Sequence, residues 1–324
     1  MSKDVKALKH EGSSLQSAIA GATAGLVSRF CIAPLDVLKI RLQLQIHSLA
    51  DPLKHQGRIR PSYKGTVGTL KQILREEGVR ALWKGNVPAE GLYLSYSSIQ
   101  FLSYKTLSDF IKPENLPFPC PESGTTFMTG ATAGVIATTS TYPLDLLRTR
   151  FAAQGQERVY SGLMAGIRQI HQSEGPKGFF RGLTAANVQI VPYMGLFFML
   201  YETFKPLLNS IWLPLDWAGS ADGTAGTLAT VIGKTVVYPL DTVRKRLQVQ
   251  GPNRSRFSHK NIPEYTGILE TIKTILRREG FRGMYRGLPV ALLKAAPASA
   301  ATIWTYERTM SLLLKVEKSG DHEV

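Results

Sequence analysis

The sequence predicts an all-α membrane protein: six transmembrane helices in three pseudo-symmetric repeats of about 100 residues, set around a central cavity. Two observations carry that expectation. A charged motif, Pro34-Leu35-Asp36-Val37-Leu38-Lys39-Ile40-Arg41, returns as Pro143-Leu144-Asp145-Leu146-Leu147-Arg148-Thr149-Arg150. It returns again as Pro239-Leu240-Asp241-Thr242-Val243-Arg244-Lys245-Arg246, with proline, acid and bases at the same offsets. The prolines lie 109 and 96 residues apart (34 to 143, 143 to 239), too far for a solenoid unit and suited to a duplicated module. A second signature follows each copy. Glu77-Gly78 leads after four residues to Trp83-Lys84-Gly85, Glu174-Gly175 to Phe180-Arg181-Gly182, and Glu279-Gly280 to Tyr285-Arg286-Gly287.

The chemistry of one copy favours a membrane. Each proline follows a mostly apolar run of small residues, and the acid and first base stand three positions apart, about 60° around a helix, so they face one way. Such a pair at the end of an apolar helix must face protein or a wet cavity rather than lipid. Hydrophobic residues make up 44% of the chain, mean hydropathy is just below zero, and no simple uninterrupted apolar span is visible. A soluble helical protein also fits those values. Six amphipathic segments around a wet cavity need only their outer faces apolar, however, and three repeats of two helices supply them. Two cysteines, Cys31 and Cys120, are too few for a disulfide framework and read as thiols.

The elements follow in order. Residues 1–14 form a polar tail with no signal-peptide core. The first helix is expected over about Leu15 to Gln45, with small residues four apart at Gly21 and Gly25 for close helix approach and a kink at Pro34. A polar stretch from Ile46 to Pro61 reads as an expanded loop, and Gly251 to Glu264 repeats it in the third module. Each connection ends on Tyr-x-Gly: Tyr63-Lys64-Gly65, Tyr160-Ser161-Gly162 and Tyr265-Thr266-Gly267. The second helix runs from about Val87 to Phe110. The third, about Ser123 to Gln154, repeats the small pair as Gly130 and Gly134; the fourth covers about Leu183 to Ser210. In the fifth, about Trp217 to Gln250, the pair loosens to Gly226 and Thr230, and the sixth covers about Leu288 to Lys315. The repeats divide as 15–115, 116–212 and 213–316, with a tail over 317–324.

The two signatures together resemble the mitochondrial carrier family, whose pattern is complete here in all three copies. The runs Ser28 to Asp36, Lys84 to Ala89, Leu147 to Gly155 and Gly233-Lys234-Thr235 are similar to that family's thiamine pyrophosphate-transporting branch. The resemblance implies an inner-mitochondrial-membrane carrier, working as a monomer without cofactor. It implies a short matrix-side helix in each repeat, about Thr66 to Glu77, Leu163 to Ser173 and Ile268 to Glu279. It also implies cardiolipin headgroups bound by the Tyr-x-Gly and aromatic-base-Gly elements at the short-helix N-termini. Thiamine pyrophosphate would enter the matrix in exchange for nucleotides. A coenzyme A or (deoxy)nucleotide carrier, and a proton or anion leak or non-transporting adaptor, are the alternatives.

Site residues are carried over position by position. The resemblance pairs Asp36 with Arg148, Asp145 with Arg244 and Asp241 with Lys39 in a matrix gate, braced by Gln43 and Gln248; the second module has Ala152 at the brace position. The same pairs could instead fix helix packing alone. An opposite gate would use Glu202 and Lys205 on the fourth helix, Lys105 on the second and Glu307 on the sixth, with Glu307 meeting Lys105. Seven residues after the closing glycines, at the level where the family contacts substrate, lie Leu92, Gln189 and Lys294, with Tyr93 and Ile190 beside the first two. Five residues before the prolines lie Arg29, Thr138 and Lys234. Arg29, Lys234 and Lys294 would converge on an anionic diphosphate, with Tyr93, Tyr96 and Trp304 as stacking surfaces. Glu90 would meet either a cationic ring or a nearby base. The family's keto-acid and amino-acid members carry Arg where Gln189 stands, which speaks against both classes.

A net charge of +15 invites a nucleic-acid partner. Much of the basic charge is confined to the segments joining the two helices of each repeat, which fits a positive-inside bias facing the matrix and leaves both termini in the intermembrane space. No nucleic-acid partner is therefore expected. The six histidines show no metal-ligand spacing and no Gly-rich phosphate loop is present, so no metal site and no enzyme is expected.

Overall fold

The computed structural model describes residues 13–45, 65–111, 122–210, 220–258 and 262–320. The expectations for residues 1–12 and 321–324, the loop Ile46 to Pro61, Tyr63-Lys64, Cys120 and the start of the fifth helix at Trp217 lie outside the described residues. Among the described residues the chain forms helices and no strand. Module one holds α1 (Ser14–Leu44), α2 (Gly65–Glu77) and α3 (Asn86–Phe110); module two holds α4 (Glu122–Ala153), α5 (Leu163–Glu174) and α6 (Leu183–Ser210). Module three holds α7 (Ser220–Gln248), α8 (Ile268–Glu279), α9 (Phe281–Met284), α10 (Leu288–Leu293) and α11 (Ala295–Gly320).

Local chemistry sets these bounds. Ser13 and Gln16 cap α1 reciprocally, the Gln16 N–H donating to Ser13 Oγ at 3.2 Å and the Ser13 N–H to Gln16 Oε1 at 2.8 Å. Pro34, Pro143 and Pro239 lie inside α1, α4 and α7, which continue through them to the charged motifs. Pro34 cannot donate to the Phe30 carbonyl, and the Trp83 indole N–H takes that acceptor at 3.1 Å. One expectation is corrected. The sixth long helix is divided at Lys294 into α10 and α11. Pro297 has no N–H for the Leu293 carbonyl and its ring crowds it, while the flanking bonds Lys294 N–H to Val290 O (3.1 Å) and Ala298 N–H to Lys294 O (3.2 Å) survive.

The long helices close a ring: α3 lies along α4, α6 along α7, and α11 returns to α1. Small residues bring them together. A Cβ at Gly25 would stand 2.3 Å from the Tyr93 ring, and Ala20 packs on Met310 and Leu314 of α11. The largest core sits at the end carrying the charged motifs, where Val37, Tyr142, Leu146, Val243, Ile170 and Ile275 join α1, α4 and α7 to the short helices. Large apolar side chains including Phe101, Leu102, Val188, Val236 and Ile303 remain exposed. Leu15–Leu44 and Pro176–Leu208 are long and apolar enough to cross a membrane by length and composition.

Candidate functional site

The C-terminal ends of α1, α4 and α7 meet, and the three expected ion pairs form between modules. Arg148 Nη2 donates to Asp36 Oδ2 at 2.6 Å and Arg244 Nη2 to Asp145 Oδ2 at 2.9 Å; Lys39 Nζ lies 2.6 Å from Asp241 Oδ2. Gln43 Nε2 donates to Asp241 Oδ2 at 2.9 Å and Gln248 Nε2 to Asp145 Oδ2 at 2.5 Å. Ala152 offers no such side chain. Lys39 faces the Tyr238 ring and Arg244 the Tyr142 ring, each 5.6 Å from the centroid. Sequence reasoning missed Lys245. It is buried, and its ammonium reaches Asp145 Oδ2 (3.1 Å), Thr149 Oγ1 (2.9 Å) and Gln248 Oε1 (2.9 Å). Ile40 and Thr149 stand at its position in the other modules, so only the comparison of repeats would single it out.

A second ring lies behind the first and was also missed. The second base of each motif is buried and pairs with the acid of the second signature: Arg41 with Glu77 (Nη2 to Oε2, 2.8 Å), Arg150 with Glu174 (2.5 Å) and Arg246 with Glu279 (Nη2 to Oε2, 2.9 Å). Each guanidinium also donates to carbonyls at the end of the next module's helix. Arg41 takes Ala152 O (3.1 Å) and Gln154 O (2.6 Å); Arg150 takes Gln248 O (2.9 Å) and Gln250 O (2.7 Å). Arg246 closes the circle on Gln43 O (3.1 Å) and Gln45 O (3.3 Å). Orphan carbonyls and the negative helix end are thereby satisfied. Burial alone would push the Glu77 carboxyl up, but hydrogen bonds from Arg41 and Lys84 outweigh it and hold it below the usual carboxylate range.

The side chains of the two elements expected at the lipid headgroups also join this ring. Tyr160 and Tyr265 are buried and their hydroxyls accept from Arg150 (3.5 Å) and Arg246 (3.0 Å). Lys84, Arg181 and Arg286 turn in to Glu77 (2.5 Å), Glu174 (2.5 Å) and Glu279 (3.0 Å). Lys84 and Arg286 keep about a fifth of their side-chain surface exposed and Arg181 41%. The closing glycines have a separate reason to be glycine. Gly85 adopts φ +85°, and a Cβ there would stand 2.6 Å from the Arg148 carbonyl of the next module.

On the cavity side of the first ring lies a space of about 450 Å³. Arg29, Leu92, Tyr93, Thr138, Gln189 and Ile190 line it, with Tyr96; Asp145 and Arg244 form its floor, and Thr141 and Tyr193 line it without having been foreseen. The Arg29 guanidinium lies 4.9 Å from the Tyr93 ring centroid and 3.8 Å from Asp36 Oδ2. Gln189 Oε1 is buried without a partner. Lys234 and Lys294 are not in this wall. Lys294 Nζ reaches down to Asp36 Oδ1 at 2.8 Å, and Lys234 lies within electrostatic reach of Lys39 and Asp241. Trp304 is exposed and absent from the lining, while Glu90 accepts from Asn86 at 3.2 Å with its other oxygen buried and unpartnered. At the other end, among the described residues no ion pair joins Lys105 to Glu307, and Lys205 Nζ lies 5.7 Å from the Tyr201 ring centroid. Among the described residues no group of three or more His, Cys, Asp or Glu could hold a metal ion.

The profile of the family described as mitochondrial carrier protein matches residues 10–115, 121–211 and 219–317. The chain is 61% identical to the mitochondrial thiamine pyrophosphate carrier 1 of Phaeosphaeria nodorum over 320 residues, covering 99% of each chain. It is 58% identical to the protein of the same name from Coccidioides immitis, again over 99% of each. With that of Aspergillus oryzae the identity is 56%, over 99% of this chain and 100% of the other.

Proposed function

The chain belongs to the mitochondrial carrier family, and from that premise we propose that it carries thiamine pyrophosphate across the inner mitochondrial membrane into the matrix, in exchange for nucleotides. The observation that carries this reading is the charge at the cavity floor. Six cations, Arg29, Lys39, Arg148, Arg244, Lys245 and Lys294, gather on three carboxylates, Asp36, Asp145 and Asp241. The surplus favours an anion with several charges, and a diphosphate supplies them. Arg29 over Tyr93 and the unpartnered Gln189 oxygen offer a face and an acceptor for an aminopyrimidine ring.

Alternating access follows from the closed ring. The inter-module pairs shut one end of the cavity while Lys105 and Glu307 stay apart at the other, and substrate binding exchanges the two arrangements. In this reading the six long helices span the membrane, the motif end and α2, α5 and α8 face the matrix, both termini face the intermembrane space, and one chain closes its own ring as a monomer. Cardiolipin headgroups would meet the backbone N–H groups at the starts of α5 and α8.

Uptake of labelled thiamine pyrophosphate into liposomes preloaded with the unlabelled compound tests the proposal, with Arg29→Gln beside the parent. Saturable uptake, weakened at least tenfold by the substitution as for a lost charge-assisted contact, is expected. Exchange of coenzyme A or nucleotides with none of thiamine pyrophosphate would leave a carrier of another substrate.

A further inference from the structure

One carboxylate beside the cavity is left over from both rings. Asp36, Asp145 and Asp241 are paired in the first ring, and Glu77, Glu174 and Glu279 in the second. Glu90 is not. Its Oε1 accepts from Asn86 Nδ2 at 3.2 Å, its Oε2 is buried with no hydrogen-bond partner, and among the described residues no ion pair reaches it. The other modules have no acid at this position: five residues after the closing glycine the second has Asn187 and the third Leu292. Glu90 precedes Tyr93 by three residues, about 60° around α3, so the two share one side of that helix. A carboxylate oxygen taken out of water in this way calls for a cation.

The cation at hand is Arg29. Its guanidinium lies 4.9 Å from the Tyr93 ring centroid, 3.8 Å from Asp36 Oδ2 and within electrostatic reach of Glu90. Arg29 and Tyr93 line the cavity, and Glu90 meets it only through them. Asp36 has two further cations, Arg148 at 2.6 Å and Lys294 at 2.8 Å, so Glu90 is the acid that depends on Arg29. We propose that Tyr93 and Glu90 form a subsite for a cationic ring on the cargo, and that Arg29 stands in for that ring before cargo binds. This rests on the reading above that the cargo is thiamine pyrophosphate, which joins a diphosphate to a thiazolium ring of fixed positive charge. The diphosphate offers Arg29 a bidentate partner. The thiazolium, a cation without N–H donors, takes the Tyr93 face as quaternary ammonium groups take aromatic faces, and it answers the Glu90 charge. Each charge changes partner and none is left alone. A diphosphate on a neutral ring would take the guanidinium and leave the Glu90 carboxylate unanswered.

The test measures uptake into liposomes loaded with unlabelled thiamine pyrophosphate. It compares the half-saturating concentration of labelled thiamine pyrophosphate with that of a labelled analogue whose thiazolium nitrogen is replaced by carbon, which makes the ring neutral at nearly the same shape. The parent should favour the cationic compound at least about tenfold, the size of one contact with a charged group. Glu90→Gln, of the same shape and neutral, should bring that ratio below about threefold, and Glu90→Asp, which keeps the charge, should restore most of it. A residue that served packing alone would weaken both compounds together and leave the ratio unmoved. A ratio in Glu90→Gln equal to the parent's would therefore overturn the subsite. A parent that carries both compounds with equal half-saturation would overturn it with no variant needed, and would leave the substrate reading standing. A parent that exchanges nucleotides and takes up neither compound would sink the substrate reading and the subsite with it.

Discussion

At the scale of single residues, the fully buried arginines bear most of the electrostatic risk. Arg150 holds Glu174 and two carbonyls of another module, so Arg150→Ala leaves the buried carboxylate to the partly exposed Arg181 and both carbonyls without that donor, and should destabilise by about 3 kcal/mol, seen as a lower unfolding temperature in detergent. Arg150→Lys keeps the charge but loses the fork, and should fall between. Glu77 makes a pH prediction. Its folded carboxyl titrates below its unfolded value, so its contribution is present above about pH 4.3 and is lost as pH falls through the folded value. Unfolding temperature should therefore drop on the acid side, and Glu77→Gln should show a lower plateau and a shallower drop. Helical spacing put the acids and first bases of the ring on one face, and the family resemblance supplied their pairing. The partners of Arg41, Arg150 and Arg246 were not legible, since their acids lie 36, 24 and 33 residues downstream and meet them only after the short helices fold back.

Elements show the same division between local and tertiary information. The odd helices could be placed to within a few residues from apolar runs ending in charge. The interruption at Lys294 could not, because prolines in α1, α4 and α7 leave those helices unbroken and Pro297 does not. Pro297→Ala gives the Leu293 carbonyl a donor again, worth about 1 kcal/mol. It should raise the unfolding temperature while slowing uptake in the liposome assay, because a continuous helix re-aims Lys294. Gly85→Ala tests the packing of the second signature on the first. The left-handed backbone and the Arg148 carbonyl both oppose a Cβ, so a loss of about 1–3 kcal/mol and of transport is expected. Calorimetry and uptake read the two effects separately. The inward turn of Tyr160 and Tyr265 was hidden for a related reason: a tyrosine before a helix start reads alike whether its hydroxyl meets a headgroup or a buried arginine.

For the whole molecule, near-symmetry in sequence becomes inequality in strength. The Asp145 carboxylate accepts hydrogen bonds from three side chains, Arg244, Lys245 and Gln248, against two at Asp36, so its joint should part last. Lys245→Met removes one charged tie of about 1.5–3 kcal/mol and leaves Arg244 in place. Substrate-free protein should unfold at lower temperature and, if opening limits turnover, exchange faster in a liposome uptake assay. The outer closure of the second ring has a consequence for how the protein is made. Arg246 donates to Gln43 O across a separation of 203 residues. At about 5–20 residues per second, a ribosome needs about 10–40 s to travel from one partner to the other. For that interval the end of α1 is uncapped, and a chain stopped short of the third module never receives its closing arginine. The last joint therefore depends on the last module: without Arg246 the circle of guanidinium-to-carbonyl bonds stays open at the end of α1.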